Sequence, residues 1–111
     1  MRWPDLFELP RLTEGVKTGW HMFPMLIRAD SGIRRSELQQ WMESHGVDTR
    51  MVWTGNATRQ PAFRKHPFRQ PAGGLPNADA VMERGVLLPL SHAFGDETLD
   101  IVTSTLEDFL A

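Results

Sequence analysis

Residues 20 to 46 read WHMFPMLIRADSGIRRSELQQWMESHG and predict a strand, a turn and a helix in that order. The apolar run from Trp20 to Arg28 is short enough for a strand. Pro24 cannot donate a hydrogen bond to a neighbouring strand, which places this strand at a sheet edge or next to a bulge. One further short strand is expected near Leu6 to Leu9, in the otherwise irregular segment that precedes it.

A helix is expected from about Ile33 to His45. Asp30-Ser31-Gly32 is a turn signal, and the apolar residues that follow are spaced to share one helix face, namely Leu38, Trp41 and Met42. Gly46 is a suitable C-terminal stop. His45 lies in the last turn, where a partner of the helix dipole is a simpler interpretation than a metal ligand.

The rest of the chain adds two main strands and two helices, so the predicted fold class is α+β. After the first helix the pattern predicts a strand over 47–53, a long loop over 54–76, a helix over 77–84, a strand over 86–90 and a final helix after Gly95. Three main strands and three helices result, in the order β, α, β, loop, α, β, α. A loop of about twenty residues in a compact domain is usually functional or disordered.

The composition indicates one domain. The 111 residues carry 12 basic and 14 acidic side chains, a formal net charge of -2 and no cysteine. A chain of this size buries roughly two thirds of its surface on folding, which is enough for one core. We therefore expect an extended lead-in over residues 1–19 and a single domain over residues 20–111. The absence of cysteine excludes disulfides, thiolate metal sites and thiol nucleophiles.

The charge changes sign along the chain. Residues 49 to 78 contain five basic side chains and no acidic one, so the long loop 54–76 is expected to attract anions. From Asp79 onward acidic residues dominate, which argues against a nucleic-acid partner. No segment is apolar enough for a membrane helix and the first residues do not form a signal peptide, so we expect a cytoplasmic protein without a membrane partner.

Residues 53 to 63, WTGNATRQPAF, are the strongest candidate for a binding site. They combine a flat aromatic ring, an amide, a guanidinium group and a glycine, as recognition of a phosphate or a sugar requires. The alternative is a polar surface loop whose Trp53 and Phe63 fold back on the core. The four histidines are not spaced as a metal-ligand set, and the glycines at 73 and 74 lack the lysine and hydroxyl of a phosphate loop.

Four pieces of the chain carry a resemblance to one known family. They are Trp20 with Phe23-Pro24, Arg28 to Ile33, Gly55-Asn56 with Thr58 to Phe63, and Leu75 to Asp79 with Val81-Met82. In order and spacing they resemble the C-terminal small domain of the DegT/StrS family of PLP-dependent sugar aminotransferases, above all its CDP-4-keto-6-deoxyglucose dehydrase branch. The resemblance implies a small, mostly antiparallel sheet covered by helices.

The resemblance also implies where a substrate would lie. Asn56 and Arg59 would face the active-site cleft and bind a nucleotide sugar, with Arg50 and Arg84 as further candidates. In such enzymes a large domain holds the cofactor, PLP or PMP, so no catalytic, cofactor-binding or metal-binding residue is assigned here. Neither lysine, at 17 and 65, has the apolar setting that would make its amine nucleophilic.

Three interpretations remain open at this point. The first is the small domain of a PLP-dependent nucleotide-sugar aminotransferase or dehydrase, inactive alone and completed by a large domain or a partner chain. The second is a stand-alone, non-catalytic module that binds an anionic metabolite or a partner protein, and the third is a decayed fragment. Four tryptophans and six methionines in so small a chain also favour a homo-oligomer.

Overall fold

The computed structural model describes residues 2–111; Met1, the first residue of the predicted lead-in, lies outside them. The described residues form four strands and three α-helices, which are β1 (Phe7–Glu8), β2 (Met22–Ile27), α1 (Arg35–Ser44), β3 (Arg50–Met51), α2 (Pro76–Arg84), β4 (Gly85–Pro89) and α3 (Asp96–Leu110). The strands pair antiparallel in the order β1-β2-β4-β3. The predicted α+β fold class is confirmed.

The two faces of the sheet differ in burial, because successive side chains of a strand project to opposite sides. One face carries the buried residues Met25, Ile27, Val86 and Leu88, and packs in a single core with Leu38 and Met42 of α1 and Leu106 of α3. The other face is covered only in part, at the end where Val81 of α2 lies beside Leu26 and Gly85. The sheet therefore has a core face and a partly open face.

The edge position that Pro24 suggested for β2 is wrong. β2 lies inside the sheet, between β1 and β4, and its register with β4 runs without a bulge from Met22 to Leu26. β1 pairs only with Leu26 and Ile27 of β2. Pro24 therefore lies beyond the end of β1, where one flank of β2 needs no ladder hydrogen bond, which explains how an interior strand accommodates proline.

The expected short strand near the N-terminus is present as β1, and its Phe7 is 2% exposed, inside the core. Part of the predicted lead-in over residues 1–19 thus contributes to packing, while the boundary at residue 19 stays a prediction. α1 is followed by Gly46 at φ 79°, and Gly95 precedes α3 with Asp96 and Glu97 in its first turn, both as expected. In the described chain no helix has the length and apolarity that crossing a bilayer requires.

β3 is shorter than the strand predicted over 47–53. The Trp53 N–H donates to the Met51 carbonyl at 2.8 Å, and the Gly55 N–H donates to the Val52 carbonyl at 3.0 Å, so the chain turns directly after β3. Trp53 has φ 43°, in the left-handed region that a strand does not use. The loop that follows contains two 3-10 turns, Ala57–Arg59 and Phe63–Lys65.

Candidate functional site

The loop after β3 lies directly against α2 at Gly55. A β-carbon on Gly55 would overlap the Cα and Cβ of Met82 and stand 2.9 Å from its Cγ. Gly55 also has φ 59°, which side chains other than glycine rarely adopt. Only glycine meets both requirements, so this position brings the candidate binding loop into backbone contact with the helix.

Asp79 of α2 fastens the same loop through two of the predicted site residues. Its carboxylate accepts a hydrogen bond from Asn56 Nδ2 at 2.7 Å and pairs with Arg59 through Nε at 2.6 Å and Nη2 at 2.9 Å. The Arg59 guanidinium thus binds the carboxylate in the two-pronged geometry that is strong for arginine. We refer to Asn56, Arg59 and Asp79 as the Asp79 cluster.

Asn56 is the buried member of the Asp79 cluster, with 3% exposure. Its Oδ1 accepts hydrogen bonds from the Thr58 N–H at 3.0 Å and from Thr58 Oγ1 at 2.6 Å, which caps the first 3-10 turn. Its amide oxygen and amide nitrogen are thus both hydrogen-bonded inside the protein, whereas the Arg59 side chain is 56% exposed. Within the cluster Arg59 presents the accessible group and Asn56 positions the loop.

The Asp79 cluster is built around a charged carboxylate. The hydrogen bond from the Arg59 guanidinium, followed by that from the Asn56 amide, lowers the pKa of Asp79 below its ordinary value. The same pairing raises the pKa of Arg59. Each shift favours the ionised form, so the cluster is an ion pair at neutral pH.

Arg50 and Arg84, the other predicted site residues, lie apart from the Asp79 cluster. Arg50 stands at the edge strand β3 and binds Asp48 at 2.8 Å. Arg84, at the end of α2, donates from Nη1 to the Ile27 carbonyl at 2.6 Å and so joins the helix to β2. Arg84 is thus bound to the backbone of β2, whereas Arg50 is paired with a solvent-exposed carboxylate.

Arg35 is a second arginine that anchors α2, and no sequence pattern pointed to this role. Its Nη1 donates to the Met82 carbonyl at 2.6 Å, in the last turn of α2, where backbone carbonyls lack helical partners. Together with the Asp79 cluster, this bond fixes the position of α2 against the loop.

The aromatic residues of the candidate segment do not fold back on the core, so that part of the alternative interpretation is wrong. Trp53 is 87% exposed, and Phe63 is 43% exposed. Phe63 stacks edge to face on Phe68 at a centroid separation of 6.3 Å. The loop therefore displays aromatic rings to solvent.

Trp53 borders a groove on the open face of the sheet. The groove has a volume of about 350 Å³, and its walls include Trp20, Met22, Pro24, Trp53 and Leu87. A volume of this size falls within the range of about 300–1,000 Å³ that is typical of small-molecule sites. In residues 2–111 no three histidine or acidic side chains are grouped so as to hold a metal ion.

Residues 4–107 match the DegT/DnrJ/EryC1/StrS aminotransferase family. The chain belongs to this family. The resemblance expected from the four sequence pieces is thereby confirmed, and it extends over nearly the whole chain. Within the piece that runs from Gly55-Asn56 to Thr58 and Phe63, the residues Gly55, Asn56 and Arg59 contact α2.

Two relatives match this chain at comparable identity. One is the lipopolysaccharide biosynthesis protein RfbH of Salmonella typhimurium, 32% identical over 95% of this chain and 24% of its own length. The other is the dTDP-4-dehydro-2,6-dideoxy-D-glucose 3-dehydratase of Saccharopolyspora spinosa, 33% identical over 93% of this chain and 22% of its own. The chain thus spans about a quarter of the length of these DegT/DnrJ/EryC1/StrS relatives.

Solved structures of larger proteins contain the same fold. The GDP-4-keto-6-deoxy-D-mannose-3-dehydratase of E. coli superposes with a TM-score of 0.80 at 20% identity, over 93% of this chain and 26% of that one. A family aminotransferase from Brucella abortus superposes with a TM-score of 0.76 at 18% identity, over 96% and 27%. The α+β arrangement is thus that of a domain found in larger family members.

Residues 2–111 do not fit a PLP site by themselves. Lys17 and Lys65 are exposed, so neither lies in the apolar surroundings that favour a nucleophilic amine. Asp79 is already committed to Arg59 and Asn56. We therefore derive no reaction step through the cofactor from these residues.

Proposed function

We propose that this chain is the small domain of a PLP-dependent enzyme that acts on nucleotide-activated keto-deoxysugars, with the cofactor site supplied by another segment or a partner chain. The observation that carries the proposal is its coverage: the chain aligns over almost all its residues with only 22% and 24% of two relatives. One of those two is a 3-dehydratase of a dTDP-linked deoxysugar. This favours dehydration over transamination.

Arg59 is the proposed contact to the substrate. Its Nε and Nη2 are bound to Asp79, and among residues 2–111 its Nη1 has no hydrogen-bond partner. A guanidinium held rigidly on one side and exposed on the other suits recognition of a phosphate or sugar oxygen. Asn56 is proposed to act through the loop conformation that it caps.

A domain-replacement chimera tests this proposal. The matching quarter of the Saccharopolyspora spinosa dehydratase is replaced by residues 4–107 of this chain, and the parent lacking that quarter serves as the control. We expect the chimera to retain PLP absorbance and to convert a dTDP-linked 4-keto sugar, because the chain supplies the missing fold and its loop. A soluble, folded chimera with bound PLP but no turnover would contradict the proposal and favour a stand-alone binding module.

Arg59→Lys in the same chimera tests the contact itself. Lysine keeps the positive charge but cannot form the two-pronged pair with Asp79. We expect a rise in KM for the sugar nucleotide with PLP absorbance unchanged. An unchanged KM would exclude Arg59 from substrate binding.

A further inference from the structure

We propose that this chain associates head to tail with a second copy of itself, through residues 63–69 of one copy and the outer face of α3 of the next. This interaction goes beyond the proposed function, because it involves neither the Asp79 cluster nor a substrate. We refer to residues 63–69 as the basic segment and to the outer face of α3 as the acidic stripe.

The basic segment reads FRKHPFR and is exposed along its whole length. It contains Arg64, Lys65 and Arg69 but no acidic residue, and among residues 2–111 none of these three side chains has an ion-pair partner. Its two aromatic residues, Phe63 and Phe68, meet edge to face and are 43% and 44% exposed. The segment thus presents three unpaired cations next to an exposed apolar centre.

The acidic stripe has the opposite charge and a similar apolar centre. Its exposed residues recur at intervals of three or four and so share one side of the helix, namely Glu97, Asp100, Ile101, Ser104 and Asp108. α3 has five acidic residues and no basic one, and in the described chain only Glu107 is paired, with Arg2. Ile101 lies near the middle of the stripe and is 52% exposed.

The C-terminal end of the acidic stripe lacks a basic partner. Asp108 lies in the last turn of α3, where the negative end of the helix dipole disfavours an acidic side chain. Its neighbour Glu107 is paired with Arg2, but Asp108 has no ion-pair partner among residues 2–111. A cation from another molecule would therefore pair with this carboxylate and also stabilise the helix end.

The two surfaces do not meet within one molecule. α3 packs on the core face of the sheet through Leu106. The basic segment begins shortly after Arg59, and Arg59 is held by α2, which lies at the open face. In the part of the chain that the structure describes, no ion pair joins α3 to residues 63–69. Pairing of the basic segment with the acidic stripe therefore requires a second copy.

Charge complementarity favours another copy over a broad anionic surface such as a membrane. Outside residues 49–78 the chain is acidic, so a membrane that attracts the basic segment would repel the remainder of the protein. The α3 helix of another copy instead presents a narrow acidic stripe to the basic segment alone. Because each copy uses a different surface, the interface is heterologous and builds chains or rings rather than a symmetric pair.

Sedimentation of the 111-residue chain over a range of protein concentrations tests the inference. Exposed ion pairs are individually weak, so we expect a dissociation constant on the order of 1 mM at low salt. Raising the salt from about 0.05 M to about 0.5 M should abolish the association, because screening shortens the range of the charges. A monomer at the highest concentration in low salt, or association that salt leaves unchanged, would overturn the inference.

Two charge-reversal variants give the sharpest test. Arg64→Glu with Lys65→Glu reverses the basic segment, and Asp100→Lys with Asp108→Lys reverses the acidic stripe, all at exposed positions. Each variant alone should associate at least about tenfold more weakly than wild type. Mixed in equal amounts, they should form a one-to-one dimer and no larger species, because each supplies the surface that the other lacks. A mixture that remains monomeric would contradict the proposal, as would wild-type association of either variant alone.

Arg11→Glu with Lys17→Glu is the matched control, since it makes the same change in net charge at exposed positions outside both surfaces. It should associate as wild type does. If it dissociates as much as the variant of the basic segment, net charge governs the association and the inference is wrong. Binding of the wild-type chain to phosphatidylserine vesicles without self-association would also refute it and would assign the basic segment to a membrane.

Discussion

Gly55 and Met82 touch at a point where no side chain could be inserted between the loop and α2. A β-carbon on Gly55 would overlap Met82, and Gly55 has φ 59°. Steric exclusion and backbone conformation therefore impose the same residue at this position.

Gly55→Ala should destabilise the domain more than Gly74→Ala. Gly74 has φ 71° but open space around its α-carbon, so alanine there bears only the conformational cost, about 1–2 kcal/mol. Alanine at Gly55 adds overlap with Met82, typically about 1–3 kcal/mol more. Urea unfolding of the two variants measures the difference in their free energy of unfolding. Equal losses of stability would show that the structure relieves the overlap with Met82 at no cost.

Asn56→Ala should lower the free energy of unfolding by about 1–3 kcal/mol, because the partly exposed Thr58 and Asp79 lose the hydrogen-bond partner that the buried Asn56 provides. The exposed Asn77 in α2 provides the control, since Asn77→Ala removes an amide from solvent. Chemical denaturation compares the two variants. Similar stability in both would mean that the Asp79 cluster does not hold the loop.

Acid should weaken the attachment of the loop through Asp79. Its pKa is lowered in the folded state, so the folded form binds fewer protons than the unfolded form in the acid range. The contribution is complete above the ordinary carboxyl pKa and is lost as the pH falls through the lowered value. The free energy of unfolding, measured from neutral to strongly acidic pH, should fall with pH in wild type and in Asp100→Asn. In Asp79→Asn it should fall less steeply. Parallel profiles for all three would contradict it.

PLP should form no defined adduct with the 111-residue chain. Lys17 and Lys65 are both exposed, and an exposed lysine reacts with the aldehyde without preference for a site. Borohydride reduction followed by intact mass and peptide mapping gives the answer. A stoichiometric adduct at one of the two lysines would reveal a cofactor site within these residues.

The helices and β4 were predictable because their signals are local. Leu38, Trp41 and Met42 share one face of α1, and Gly95 marks the start of α3. The Asp79 cluster was not predictable, because Arg59 and Asn56 lie 20 and 23 residues from Asp79 in sequence and meet it only through tertiary contact.

Asn56 and Arg59 were identified as candidates, but their division of roles depends on Asp79, which the charge pattern marked only as the start of an acidic region. The exposure of Trp53 was likewise unpredictable. The turn that exposes it depends on backbone hydrogen bonds rather than on composition.

The arginines at the end of α2 determine how this helix opens. Every residue of α2 is at least partly exposed, and its C-terminal turn is held by guanidinium bonds from Arg35 to Met82 and from Arg84 to Ile27. Elements with few buried apolar contacts open below the free energy of global unfolding. We therefore expect amide hydrogen exchange in α2 and its attached loop to be faster than in β2 and α1, so that Trp53 and the strand residues of the groove would belong to different cooperative units.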